Sequence, residues 1–580
     1  VTTKENLRYY GLATAVLLTA VVAWHIAAAV TLGTDLLDPV SGLDVLKATL
    51  GSGDPAPETP HATSSTAGVG AALFVLAIVT AVVVDVRRRR ARAVSTPGQM
   101  AGGRALRREM AGSAEESALR PFAYLDGQAL TLRNEDNGAV VAPPRIGKTM
   151  YLAIPLIVDA PGAVVSTSTK PDVLRLTAGI RERVGTVHVF DPEGVSLWPN
   201  RIQWDMVTGC EVPEEAAERA GALVGSRDLG DGRNASFFQE AADTVLRCLL
   251  HAAALKPGGN MRDVVRWARD FSLDEPYDLL RERGGGVKGW VDDLAKFCRG
   301  EARETVSSTD MSLGLVLKAF GLPAVLDSVC PRPGEGFDPT RFHTTRDTLY
   351  LLSRSGKTSL SAPIITALVT AVERRARLAA GHTATGRIDP PISLILDEVA
   401  NVAPVRDLAS LMSDGGGRGV LTWVFVQSRR QLAQRYGQDD AKTILDSASV
   451  FVMLAGCKDV DHLRELSALA GEHLVERVSS STGTGGSAQG SVQHSWERQP
   501  LMAPEAIRTI GMGKAFMLYR AAAPAVATLV PWWERKDRRD FEASLASVLR
   551  REGLGATISA DDLIAQATNE HENDLAEAAS

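Results

Sequence analysis

The chain has few cysteines, and they are in the wrong places for a scaffold role. Its five (Cys210, Cys248, Cys298, Cys330, Cys457) are scattered, odd in number and form no Cys-x-x-Cys. That pattern argues against a disulfide framework and against structural zinc, and it makes a reducing compartment the default. The ten histidines form no HxxxH or HExxH, and no GxSxG is present, so nothing points to a metallohydrolase or a serine hydrolase. A strong charge of one sign is also missing. With a net charge of −6 and a pI near 6.0, the whole chain is not a basic nucleic-acid binder, and contact with a polyanion would need a local patch or channel. At 580 residues, with 45 % hydrophobic and 23 % charged residues, wholesale disorder is excluded and two or more domains are expected. Val1 reads as a translated non-ATG start, so the N-terminus is expected to be authentic.

Long apolar runs, by contrast, are present. Residues 10–32 carry no formal charge over a bilayer-spanning length, and 67–86 contain a second run ending in Val82-Val83-Val84. The neutral form of His25 is tolerated within the first. Arg87, Arg88, Arg89, Arg90 and Arg92 follow the second run and fix what comes next on the cytoplasmic side. Two spans then put Lys4 and Arg8 inside as well and leave 33–66 as a short external loop. The expectation is therefore a multi-pass anchor, 1–95, in the cell membrane, with the body of the chain in the cytoplasm. Cleavage of 10–32 as a signal peptide near Ala27-Ala28-Ala29 is the alternative, and DNA binding is the alternative reading of the arginine run.

Chemistry is concentrated at three places. At 139–149 a β-branched strand end runs through Ala142-Pro143-Pro144-Arg145-Ile146 into Gly147-Lys148-Thr149 and then an apolar helix start. This is the strand–loop–helix context of a phosphate-binding loop. Backbone N–H groups of 143–149 would cradle phosphates, Lys148 would reach the β- and γ-phosphates of ATP, and the Thr149 hydroxyl would ligate Mg²⁺. The pattern departs from GxxxxGK[ST] at its first position, where Ala142 replaces glycine. A competing Gly356-Lys357-Thr358 places the bulky Leu351 at that position, within a strand, and reads instead as a loop leading into a buried helix.

The second place is Ile392-Ser393-Leu394-Ile395-Leu396-Asp397-Glu398, a buried parallel strand with two carboxylates at its C-terminal end. Asp397 is expected in the Mg²⁺ shell, and Glu398 is expected to polarise the attacking water. The third is Gly415-Gly416-Gly417-Arg418-Gly419 before the strand 420–426, which ends at Gln427. Gln427 is suited to sensing the γ-phosphate. Arg418, in a flexible glycine frame, is either an arginine finger for a neighbouring subunit or a surface turn residue.

Together these segments resemble the type IV secretion-system coupling proteins, the TraG-like conjugative ATPases. The resemblance rests on 140–149, on Ser166-Thr167-Ser168-Thr169-Lys170-Pro171-Asp172, on Phe190-Asp191-Pro192-Glu193-Gly194, and on Asp397-Glu398-Val399-Ala400-Asn401. It continues through Gly417-Arg418-Gly419, Gln427-Ser428 and Arg435-Tyr436-Gly437 to 499–515, so that it covers roughly 120–540 in order, plus the anchor. Ser168 stands where many members carry an acid. The resemblance implies an α/β fold: a RecA-like P-loop ATPase domain with an inserted all-α subdomain and an N-terminal two-helix transmembrane anchor. It further implies a homo-hexamer that couples ATP hydrolysis to passage of a relaxase–DNA complex, with single-stranded DNA, through a type IV secretion channel. Export of protein substrates on the same fold is one alternative. A nucleotide-binding membrane scaffold with vestigial hydrolysis is another.

The expected layout beyond the anchor is a first nucleotide-binding part at 96–215, an all-helical insertion at 216–335 and a second nucleotide-binding part at 336–545, followed by an acidic disordered tail at 546–580. Phe237-Phe238 are expected in the core, and 478–491 as a low-complexity loop. Arg374, Arg375, Arg377, Arg429 and Arg430 are either part of a DNA path or charged helix faces.

Overall fold

The computed structural model describes residues 99–111, 121–226, 235–283, 287–354, 359–481, 491–555 and 558–565. The expected spans 10–32 and 67–86, the loop 33–66 and Gly356-Lys357-Thr358 lie outside them. Among the described residues no helix is long and apolar enough to cross a membrane.

The strands, in chain order, are β1 (Ala123–Leu125), β2 (Gln128–Leu130), β3 (Gly138–Val141), β4 (Val164–Ser168), β5 (Val187–Phe190), β6 (Thr348–Leu352), β7 (Ile392–Leu396), β8 (Val420–Val426), β9 (Val450–Met453), β10 (Glu472–Ser481), β11 (Ser491–Pro500), β12 (Lys514–Tyr519) and β13 (Ala525–Thr528). Eleven form one sheet in the order β2-β1-β13-β12-β9-β3-β8-β7-β4-β6-β5. The stretch from β9 to β5 is parallel, and β12, β13, β1 and β2 extend it antiparallel. β3, β4, β6, β7, β8 and β9 are buried at every position, as a parallel sheet covered on both faces requires. Side-chain alternation then divides each strand between two cores. Ala139, Val141, Val165, Leu394 and Leu396 face one of them, and Val140, Val164 and Ile395 face the other.

Between β5 and β6 the regular elements among the described residues are all helices, including Pro213–Gly225, Ala235–Leu255 and Pro323–Ser328. Local chemistry sets the boundaries: Asn260 and Asp263 close a capping box on the helix Met261–Arg269, and Pro213 and Pro323 open their helices at the first turn. Phe237 departs from the expected core position. It is 46 % exposed and stacks against Phe238 and Phe297, because its helix presents that face outward. At the C-terminal end the helix Arg538–Arg551 crosses position 546 and packs Phe541, Leu545, Val548 and Leu549 into the core; residues 566–580 lie outside the described residues.

Two further expectations are corrected. The segment 478–491 is not simply a loop, since Val478–Ser481 and Ser491 belong to the ten-residue strands β10 and β11, which pair with each other as a separate ribbon; 482–490 are not described. The Gly415-Gly416-Gly417 run is not a flexible frame, because it lies inside the helix Leu408–Arg418, which ends on Gly419 at φ 84°. The reason is packing. A Cβ on Gly416 would come 2.2 Å from the Glu135 carbonyl oxygen, so the helix approaches the segment before β3 more closely than alanine allows, whereas Gly417 faces open space. Gly416→Ala is therefore expected to lower stability by about 1–3 kcal/mol through overpacking. Gly417→Ala is expected to raise it by about 0.5–1 kcal/mol through helix propensity. Chemical denaturation of the two variants beside the wild type tests the pair.

Candidate nucleotide-binding site

The parallel register brings three strand ends together. β8 lies between β3 and β7, with Val141 opposite Val426 and Leu396 opposite Val424. The loop after β3, the carboxylates after β7 and Gln427 after β8 thus share the C-terminal edge of the sheet, where open α/β sheets bind ligands.

Ala142 shows why glycine is dispensable at the first position of the loop. It is fully buried, its N–H donates to the Val426 carbonyl at 2.9 Å, and it continues the ladder without a left-handed φ. The turn itself is made by Arg145 (φ 67°) and Gly147 (φ 82°). Gly147 also lacks room for a Cβ, which would sit 2.7 Å from the Tyr151 ring. Pro143 and Ile146 are half-buried, and Pro144 and Arg145 are at the surface. The helix opens with a wide turn, Thr149–Ala153, in which the Ile154 N–H reaches back to the Thr149 carbonyl. Pro155 lacks an N–H and crowds the carbonyl four residues back, which accounts for the widening.

Lys148 and Asp397 are both nearly buried and joined at 2.6 Å, and Glu398 Oε1 lies 3.9 Å from the same ammonium. Glu398 occupies the left-handed region (φ 51°, ψ 44°), a conformation that costs a side-chain-bearing residue about 1–2 kcal/mol. The surroundings hold it there. Its carbonyl accepts from the N–H groups of Asn401 and Val402, and the Gln427 amide donates to its carboxylate at 3.4 Å. Thr149 and Asp397 supply oxygen donors at one edge, which fits a hard cation that completes its shell with phosphate and water oxygens.

Arg418 is the expected site residue that the fold does not bring here. It sits at the N-terminal end of β8, paired with Asp414, and the seven-residue strand puts it about 20 Å from the Lys148 edge of its own chain. Of the arginines read as a possible DNA path, Arg375 pairs with Glu215 at 3.1 Å, Arg377 with Glu373 at 3.0 Å, and Arg429 with Glu465. Other supporting residues escaped the sequence reading. Thr167, at the end of β4, donates to the Asp397 carbonyl at 3.0 Å. Glu193 accepts from Arg354 N at 2.9 Å, Leu360 N at 3.0 Å and the Ser361 hydroxyl at 2.9 Å, pinning the chain on both sides of residues 355–358. Both lie in motifs noticed by resemblance, but their partners are remote in sequence.

The geometry separates the two carboxylates energetically. Asp397→Ala leaves a buried ammonium with one distant partner and is expected to cost about 3 kcal/mol. Glu398→Gly removes the left-handed penalty and keeps the closer ion pair, so it is expected to match the wild type or exceed it by up to about 1 kcal/mol. Denaturation midpoints decide; a loss of several kcal/mol in Glu398→Gly would contradict the assignment of strain.

Known proteins resemble the chain in sequence and in fold. Residues 391–511, which include β7, Asp397, Glu398 and Gln427, match the family model described as the TraM recognition site of TraD and TraG. The conjugal transfer protein TraG of Agrobacterium fabrum is 22 % identical over 418 residues, covering 70 % of this chain and 61 % of the relative. The type IV secretion system-coupling protein VirD4 of Bartonella quintana is likewise 22 % identical over 418 residues, covering 67 % of this chain and 62 % of that relative. The chain thus spans about three-fifths of the length of these curated relatives. The plasmid coupling protein TrwB, solved with the non-hydrolysable ATP analogue ADPNP, superposes with a TM-score of 0.56 at 18 % identity over 75 % of this chain and 94 % of that one. TrwB has also been solved with ADP and Mg²⁺, and that structure gives a TM-score of 0.54 at 17 % identity, over 75 % of this chain and 94 % of that one. The chain thus shares the TrwB fold and is similar in sequence to the coupling proteins TraG and VirD4.

Proposed function

We propose that the protein is a membrane-anchored ATPase that couples ATP hydrolysis to transfer of DNA, carried by a relaxase, through a type IV secretion channel. The observation that carries the reading is the Lys148–Asp397 pair at the end of neighbouring parallel strands, with Glu398 and Gln427 beside it. On ATP binding, Lys148 exchanges Asp397 for phosphate oxygens, freeing the carboxylate. Mg²⁺, held by Thr149 and Asp397, would neutralise charge on the β- and γ-phosphates. Glu398, held in one backbone conformation beside Lys148, would polarise an attacking water and take its proton. Gln427 links Glu398 to the end of β8 and is suited to report loss of the γ-phosphate. Arg418 lies too far from its own chain's site to act there, so its role as a finger requires an adjacent copy, as in a hexameric ring. Residues 1–95 serve as the membrane anchor, with the ATPase body on the cytoplasmic side, and 216–335 as the helical insertion. Conjugal transfer in the name of TraG, and plasmid coupling in that of TrwB, support DNA as the transferred substrate.

The test is steady-state ATPase activity of the full-length chain with and without single- and double-stranded DNA. Turnover is expected to rise with DNA and to fall about 10²-fold or more in Lys148→Ala and in Glu398→Gln. Wild-type activity indifferent to DNA would move the reading to protein export. Nucleotide binding without turnover in the assembled protein would leave a scaffold.

A further inference from the structure

The ribbon β10–β11 stands apart from the main sheet, and its cross-strand register sorts its side chains into two unlike faces. Leu474 pairs with Arg498, Glu476 with Trp496 and Val478 with His494, and these six share one face. The other face carries His473 with Gln499, Val475 with Glu497 and Arg477 with Ser495. Leu474, Val478 and Trp496 are 60 %, 58 % and 65 % exposed, so three large apolar side chains lie side by side in solvent on the first face. A two-stranded ribbon is at best marginally stable by itself, and an apolar face of this kind marks a surface that meets something else.

Composition and chain path bear on what it could meet. On β11 the tryptophan stands on its own face between His494, which pairs with Glu476 across the ribbon at 2.6 Å, and Arg498; a tryptophan beside an arginine is a pairing suited to membrane–water interfaces. At the root of the ribbon a cavity of about 810 Å³ is lined by Gly471, Leu474, Arg498, Pro524 and also Gln99; Ala101 N donates to the Pro524 carbonyl at 2.8 Å. The chain therefore joins the described body at the foot of the ribbon. The apolar run 67–84 ends fifteen residues before Gln99, a tether of at most about 50 Å when fully extended. A ten-residue strand adds roughly 34 Å of reach.

We propose that the Leu474–Val478–Trp496 face of this ribbon docks on the lipid surface of the membrane that the chain spans, with Trp496 at headgroup depth. This rests on the anchor assigned to residues 1–95. Docking would give the ATPase body a second, non-covalent attachment beside its tether and limit its tilt relative to the bilayer.

Full-length protein in a Cys330→Ser background, which removes the half-buried thiol, would carry a polarity-sensitive dye at Trp496→Cys or at Ser495→Cys on the opposite face. Each would be reconstituted in phosphatidylcholine–phosphatidylglycerol vesicles, with and without headgroup-nitroxide lipid, and floated on a density gradient. The expected result is flotation of both, with quenching at 496 at least threefold stronger than at 495. Flotation with equal or absent quenching overturns docking while leaving the anchor intact. Failure to float overturns both. Excimer emission from pyrene at 496 would mean that a second copy covers the face, and it too would overturn docking. A vesicle-bound Leu474→Ser, Val478→Ser double variant is expected to lose the 496 quenching and still float, which separates a docking face from mere proximity.

Discussion

The ion pair between Lys148 and Asp397 is the contact on which the candidate site depends. It joins segments 249 positions apart in sequence, at 2.6 Å, with both groups nearly out of solvent. Neither charge would be tolerated there alone. Their coexistence therefore requires that the ends of β3 and β7 be held in a fixed relation, and the inserted strand β8 does that through parallel ladders to both. The intermediate strand has a second consequence: it sets Gln427 between the phosphate loop and the acidic pair.

Strain and support are distributed around this pair in a consistent way. Arg145, Gly147 and Glu398 all adopt positive φ, and all lie at the same edge of the sheet. Such conformations persist where neighbouring interactions over-determine them. Thr167 on the Asp397 carbonyl, the Glu398 carbonyl at the start of its short helix, and Gln427 on the Glu398 carboxylate are those interactions. Glu193 does the same for the neighbouring loop edge after β6. The C-terminal edge is thus a set of loops each fixed by a group from another strand, with Lys148 held by the Asp397 carboxylate at its centre.

Much of the site was legible in the chain itself. A β-branched strand running into Gly-Lys-Thr and an apolar strand ending in Asp-Glu are local patterns, and each has a physical reason that needs no partner. Ala142 looked like a departure, yet the left-handed turn falls at Arg145 and Gly147, so the sheet position could accept a side chain. The glycine run at 415–417 was misleading for the opposite reason. Composition alone reads three glycines as freedom, whereas Gly416 is there because a carbonyl oxygen lies where its Cβ would be. Serine- and glycine-rich sequence likewise hid the ends of β10 and β11, since a ribbon that buries neither face carries no hydrophobic alternation strong enough to outweigh its composition.

What the sequence determined by itself was the inventory of chemistry: the Gly-Lys-Thr loop, the acidic pair, the helical character of the stretch between β5 and β6, and the apolar runs before residue 95. Each of these is written in residues close together along the chain. What only the tertiary structure decided was proximity across hundreds of residues. It joined Lys148 to Asp397 and Gln427 to Glu398, kept Arg418 at the far end of β8, and collected Leu474, Val478 and Trp496 on one face. Strand order and register set those relations, and both arise from packing two cores against one sheet, a property of the whole chain that no local segment encodes.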